Sequence, residues 1–181
     1  MTAIGEAKVL IMATDGFEES ELFGPRSILL ARGARVSLAS PTRTPIQATV
    51  LDDPGRTIRP DLTITEVVDD EFDALILPGG LRNPDALRTD AAAIALIRRF
   101  VAAGKPAAAI CHGPWLLAEA DVLRGVEVTC WRSIRTDLIN AGARVVDAPA
   151  VTSGNIVTSR MPDDVPAFTA ALIALIDSGS A

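Results

Sequence analysis

Four short and nearly unbroken apolar runs are spaced along the chain: KVLIMA (Lys8 to Ala13), RVSLAS (Arg35 to Ser40), DALILP (Asp73 to Pro78) and AAAIC (Ala107 to Cys111). A strand with one wet face alternates apolar and polar residues, so unbroken runs imply strands covered on both faces, as in a parallel sheet between helices. The stretches between them agree. Glu19 to Ala31, Ala91 to Ala103 and Pro114 to Ala120 carry apolar residues at helical spacing, and Gly33 and Gly104 stand where helix C-caps belong. The expected fold class is α/β, with a mostly parallel central sheet and right-handed crossovers.

The remaining segments fit around that frame. Ile46 to Pro60, with Asp52-Asp53-Pro54-Gly55 inside it, reads as two short strands around a turn. Gly125 to Val157 adds short strands and a helix around Ser133 to Ala141. Pro162 to Ile176 reads as a terminal amphipathic helix that packs on the sheet. At 181 residues, with no repeat or linker, one domain spanning 1–181 is expected.

Charge and cysteine content narrow the function classes. A formal net charge of −6 with no Lys/Arg-rich run lacks the positive field that nucleic acid or anionic lipid requires. No stretch approaches the ~20 apolar residues that span a bilayer, and the N-terminal segment has no secretory pattern, so a soluble cytoplasmic protein is expected. Two cysteines, Cys111 and Cys130, fit a reducing compartment. With His112 the only histidine, a multi-histidine metal site is excluded and no metal is expected.

The most informative stretch is KPAAAICHGPWLL, Lys105 to Leu117. It reads as a buried strand ending at Cys111, a sharp turn through His112-Gly113, and a helix opening at Pro114. This is the layout of a nucleophile elbow with cysteine as the nucleophile. A thiol at the N-terminal end of a helix is expected to have a lowered pKa. His112 adjoins it, although neighbouring positions do not by themselves make a Cys–His contact. Two further segments follow strands of the same sheet. Asp15-Gly16-Phe17-Glu18-Glu19-Ser20-Glu21 brings carboxylates to a helix start, and Leu77-Pro78-Gly79-Gly80 offers backbone N–H groups to a developing oxyanion. Cys130, in VTCWRS, lacks an elbow and reads as a packed thiol.

These residues resemble the PfpI intracellular-protease and protein-deglycase family, within the class I glutamine-amidotransferase-like superfamily. The likeness runs from KVLIMATDGFEESEL through FDALILPGG, GKPAAAICHGPWLLAEADVLRG and TDLINAGARVVD to SGNIVTSRMPDDVPAF. It implies a flavodoxin-like three-layer sandwich. It implies that Cys111 is the nucleophile, with the Glu18 carboxyl beside it and His112 as proton shuttle. In the family His112 pairs with an acid from a neighbouring subunit. Asp85 stands at that position, one methylene shorter than the Glu of the archetypal protease. Gly79, Gly80, Gly113 and the His112 N–H are expected to line the oxyanion site, with Trp115 as a wall. No cofactor is implied, and a homodimer or larger homo-oligomer is.

Three activities fit such a thiol. The first is attack on a 2-oxoaldehyde such as methylglyoxal, or on its early adduct with a protein, giving a 2-hydroxy acid. The second is peptide hydrolysis, and the third is oxidation of Cys111 as a redox sensor or chaperone without turnover. Asp85 and the lack of an inserted specificity region lean away from peptidase. Glutamine amidotransfer needs a histidine on a later segment, which the chain lacks.

Overall fold

The computed structural model describes residues 3–51 and 53–179. In chain order the elements are β1 (Lys8–Met12), β2 (Phe17–Glu18), α1 (Glu19–Ala31), β3 (Arg35–Ser40), β4 (Ile46–Val50), β5 (Asp53–Ile58), β6 (Leu62–Thr63), β7 (Ala74–Leu77), α2 (Arg82–Leu87), α3 (Ala91–Ala102), β8 (Ala107–Ile110), α4 (Pro114–Glu119), β9 (Glu127–Val128), α5 (Arg135–Asn140), β10 (Arg144–Val145), β11 (Ala150–Ser153), β12 (Ile156–Ser159) and α6 (Val165–Ser178). The four apolar runs become β1, β3, β7 and β8.

These strands build a seven-stranded sheet in the order β11-β12-β8-β7-β1-β3-β6, parallel except for the edge strand β11. Both faces are covered, which is why the central strands carry apolar residues on both faces. In β1, Leu10 and Met12 join a core shared with α3, α4 and α5, whereas Val9 and Ile11 join the opposite core with α1 and α6. The fold is a flavodoxin-like α/β sandwich, as expected.

Strand order reverses between β1 and β7. From β1 the chain winds outward through β3 and β6, and from β7 it winds the other way through β8 and β12. At such a switch point the loops beyond the carboxyl ends of neighbouring strands diverge and leave a crevice. The loops after β1, β7 and β8, which hold the three segments singled out in the sequence, meet there.

The structure departs from the sequence reading in several short elements, the two-residue strands β2 and β6 among them. Helix α2 was not foreseen: it is six residues with no side-chain cap, too short for a periodic signal. The helices expected from Ser133 and from Pro162 each open with a 3₁₀ turn, Arg132–Ile134 and Pro162–Asp164, before α5 and α6 begin. The Ile46 to Pro60 excursion is the hairpin β4–β5, which joins β2 in a separate three-stranded sheet; Asp52 of its turn lies outside the described residues. Glu19 on α1 pins this hairpin by accepting from Arg56 N at 2.6 Å and Arg56 Nε at 2.9 Å.

Candidate active site

Strand β8 ends in an elbow. Cys111 has φ 61°, one of three non-glycine residues with positive φ among those described. A side chain rarely adopts that conformation, and holding it requires fixed surroundings. They are present: Cys111 N–H donates to Ser159 O on β12 at 3.0 Å, Trp131 N–H donates to Cys111 O at 2.9 Å, and Gly113 N–H closes the turn onto Ile110 O at 2.8 Å. The residue is 7% exposed.

Four groups meet the sulfur. His112 Nδ1 lies 3.3 Å from Sγ, so adjacent residues do make contact here. The backbone N–H groups of Gly80 and His112 are directed at the sulfur, and the carboxyl group of Glu21 interacts with the same side chain. Gly80 has φ +76°, and a Cβ there would run into Gly16 O and Glu18 N. Glycine at this position therefore lets the loop after β7 close on the loop after β1. Asn83 ties the same two loops together: its Oδ1 accepts from Thr14 N–H, and its Nδ2 donates to Pro78 O and Gly79 O.

The carboxyl beside the thiol is that of Glu21, which corrects the expectation for Glu18. Glu18 precedes α1 and turns toward the hairpin, its Oε2 accepting from Leu51 N–H at 3.3 Å. Glu21 is three residues further on, on the inner face of α1 with Leu22, Pro25 and Leu29, and is fully buried. Its Oε2 accepts from Gly79 N–H at 2.9 Å, and its Oε1 is left without a well-formed partner among the described residues. Burial pushes the Glu21 carboxyl up to about 8. At neutral pH it is therefore a protonated acid, with an O–H to donate toward sulfur.

The expectation of a lowered thiol pKa is also corrected. Burial, and after it any negative charge on Glu21, pushes the Cys111 thiol up, against the backbone N–H donors that favour its anion. Helix α4 has only six residues and supplies a weak dipole. A protonated Glu21 removes the repulsion and adds a donor, so the thiolate depends on where that proton sits. Burial also lowers the pKa of His112, which is a neutral imidazole at neutral pH, able to take a proton.

The expected oxyanion donors sort differently as well. Gly79 N–H is committed to Glu21 and Gly113 N–H to Ile110 O, so the two N–H groups directed at the sulfur are those of His112 and of Gly80, the latter also facing the Glu21 carboxyl. Trp115 forms a wall: its ring centroid is 5.2 Å from that of His112, its Nε1–H donates to Asp137 at 2.8 Å, and the Arg88 guanidinium lies 5.1 Å from its ring. The Trp131 ring centroid lies 6.1 Å from that of His112. Asp85, on α2, is largely exposed, with its carboxylate 3.7 Å from Arg88 Nε. Within the chain the far nitrogen of His112 is met by Ser133 Oγ at 3.4 Å, a residue the sequence did not single out. Cys130, 1% exposed, packs in the core, where burial pushes its thiol up to about 11. Both cysteines are free, and among the described residues no cluster of His, Cys, Asp and Glu could hold a metal. Nor is any described helix long and apolar enough to cross a membrane.

An α/β sandwich with a cysteine elbow at its switch point defines a class, and comparison with known proteins gives the family. The chain belongs to the DJ-1/PfpI family, whose profile matches residues 7–175. It is 39% identical over 169 residues to Deglycase PfpI of Pyrococcus furiosus, covering 93% of this chain and 99% of the relative. It is 39% identical over 179 residues to Protein/nucleic acid deglycase 2 of Escherichia coli, covering 93% of this chain and 97% of the relative. Among solved structures, Drosophila melanogaster DJ-1beta superposes with a TM-score of 0.87 at 28% identity, over 96% of this chain and 92% of that one.

Proposed function

We propose that this protein is a cysteine-dependent enzyme of the deglycase type, acting on 2-oxoaldehydes such as methylglyoxal or on their early adducts with protein amines and thiols, without a cofactor. The observation that carries the reading is the set of groups around Cys111 Sγ: an acid, a base and two N–H donors converge on one strained, buried thiol. Names borne by relatives that match nearly the whole chain support the deglycase class.

Each group has a step to perform. His112 Nδ1 takes the thiol proton, and the sulfur attacks the aldehyde carbon to give a hemithioacetal alkoxide, which the N–H groups of Gly80 and His112 stabilise. Rearrangement to the 2-hydroxy acid moves a proton from the carbon that bears sulfur to the neighbouring carbonyl carbon. His112 and the Glu21 carboxyl are the acid–base pair at hand. Water then releases the product from the resulting thioester and restores the thiol. The buried sulfur suits a small electrophile better than an extended peptide.

Methylglyoxal consumption with lactate detection tests this, in buffer free of Tris and added thiols. Lactate formed by the unaltered protein and by Cys130→Ala, but lost in Cys111→Ala, is the expected result. Absence of lactate from the unaltered protein, with cleavage of a fluorogenic peptide, would turn the assignment to the peptidase reading.

A further inference from the structure

The imidazole of His112 is held at both nitrogens. Nδ1 faces Cys111 Sγ at 3.3 Å, and Nε2 faces Ser133 Oγ at 3.4 Å. We propose that Ser133 is a positioning residue for the Cys111 reaction: its hydroxyl accepts the Nε2–H of His112 and so keeps the Nδ1 lone pair directed at the thiol. The inference rests on Cys111 as the nucleophile of the function proposed above.

A neutral imidazole carries one proton, and only the Nε2–H tautomer leaves Nδ1 free to act as a base. The S–H group facing Nδ1 is a donor and favours that tautomer, and the Ser133 hydroxyl facing Nε2 can then accept its proton. When the S–H bond breaks and the proton passes to Nδ1, the ring becomes an imidazolium with two N–H groups. Nδ1–H then donates to the thiolate, and Nε2–H still donates to Ser133 Oγ, so neither charged donor is left unpaired. Burial works against that imidazolium, which makes an acceptor at Nε2 more consequential.

Among the described residues of the chain, the surroundings leave this role to Ser133. The rings flanking His112, Trp115 and Trp131, carry no charge, and the ionised groups behind them are occupied elsewhere. Arg88 lies over Trp115, Arg132 lies over Trp131, and Asp137 accepts from Trp115 Nε1. From the elbow itself come Cys111 and, through it, Glu21. Ser133 sits in the 3₁₀ turn Arg132–Ile134, which is anchored to the elbow through the bond from Trp131 N–H to Cys111 O. The hydroxyl therefore moves with the nucleophile it serves.

The test is the pH profile of Cys111 alkylation by iodoacetamide in a Cys130→Ala background, for the parent, Ser133→Ala and Ser133→Thr. Ser133→Ala is expected to shift the midpoint upward by about one pH unit, the loss of a hydrogen bond to a charged group. Ser133→Thr keeps the hydroxyl and is expected to restore the parent profile. In the lactate assay Ser133→Ala should lower kcat and leave KM within about twofold. Superimposable alkylation profiles for parent and Ser133→Ala would overturn the proposal, and so would an equal shift in Ser133→Thr, which would point to a disturbed turn. Alkylation needs no substrate, so a failure of the lactate assay in the unaltered protein would count against the substrate reading alone.

Discussion

The two cysteines of this chain are both buried, both free and both raised in pKa by burial, yet only one has a setting that can use a thiolate. Cys130 follows the short strand β9 and packs among apolar side chains. Cys111 is bent to φ 61° and surrounded by Glu21, His112 and two N–H groups. Neither exposure nor an intrinsically low pKa separates them. What does is a set of partners already in place for the charge that the reaction creates, together with a backbone strained to present the sulfur to them.

Replacing each cysteine breaks the comparison most directly. Cys111→Ala is expected to lower lactate formation by about 1,000-fold or more, since it deletes the nucleophile. Cys130→Ala should keep turnover within about twofold and cost ~1 kcal/mol of stability from lost packing, seen in a thermal melt. Comparable losses in both variants would remove the distinction.

Glu21 sharpens it on the stability side. The folded-state pKa of Glu21 is raised from its ordinary 4.5 to about 8, so its contribution to stability is fully present below 4.5 and declines as pH rises toward 8, where the buried group resists ionisation. Glu21→Gln keeps an acceptor for Gly79 N–H and removes that penalty. The variant should be more stable than the parent by on the order of a few kcal/mol near pH 8, with the gain vanishing near pH 4.5. Melts at the two ends of this range check it, and an equal difference at both would contradict a raised pKa. The gain in stability should come with lost turnover.

Mild peroxide gives a smaller effect. Cys111 is expected to gain oxygen several-fold faster than Cys130, because the base and the N–H donors around it can stabilise a thiolate as it forms, and mass spectrometry of the cysteine peptides reads the ratio. Smallest of all is Asp85→Ala. An exposed carboxylate at 3.7 Å from Arg88 contributes under ~1 kcal/mol, so the thermal melt should barely move. A tenfold loss of turnover in the same variant would mean that Asp85 reaches His112 of a neighbouring subunit, and unchanged turnover that it does not.

Most of the architecture was legible because it is written in patterns that the backbone enforces. Unbroken apolar runs meant two-sided burial, and β3 and α1 occupy the spans the sequence indicates. The elbow was legible because a strand, Cys-His-Gly and a helix-opening Pro stand in immediate succession. The choice among the three carboxylates near residue 20 was not read correctly, although the signal existed. The spacing of Leu22, Pro25 and Leu29 turns Glu21 inward with them, while Glu18 comes before the helix and faces the hairpin. The short helix α2 and the reach of Ser133 to His112 had no such signal. One is too brief to show a period, and the other joins residues 21 positions apart through a loop whose path the tertiary fold sets. The raised thiol pKa was hidden for the same reason, since burial and the Glu21 charge belong to the packed state.

The central claim is that the protonated carboxyl of Glu21, and not that of Glu18, sustains the Cys111 thiolate. The most direct measurement is the iodoacetamide alkylation rate of Cys111 at pH 7 in a Cys130→Ala background, compared with Glu21→Leu and Glu18→Leu added singly. Loss of a hydrogen-bond donor to an anion predicts a fall of about tenfold or more for Glu21→Leu and a change within about twofold for Glu18→Leu. A fall confined to Glu18→Leu, or a faster reaction in Glu21→Leu, would contradict it.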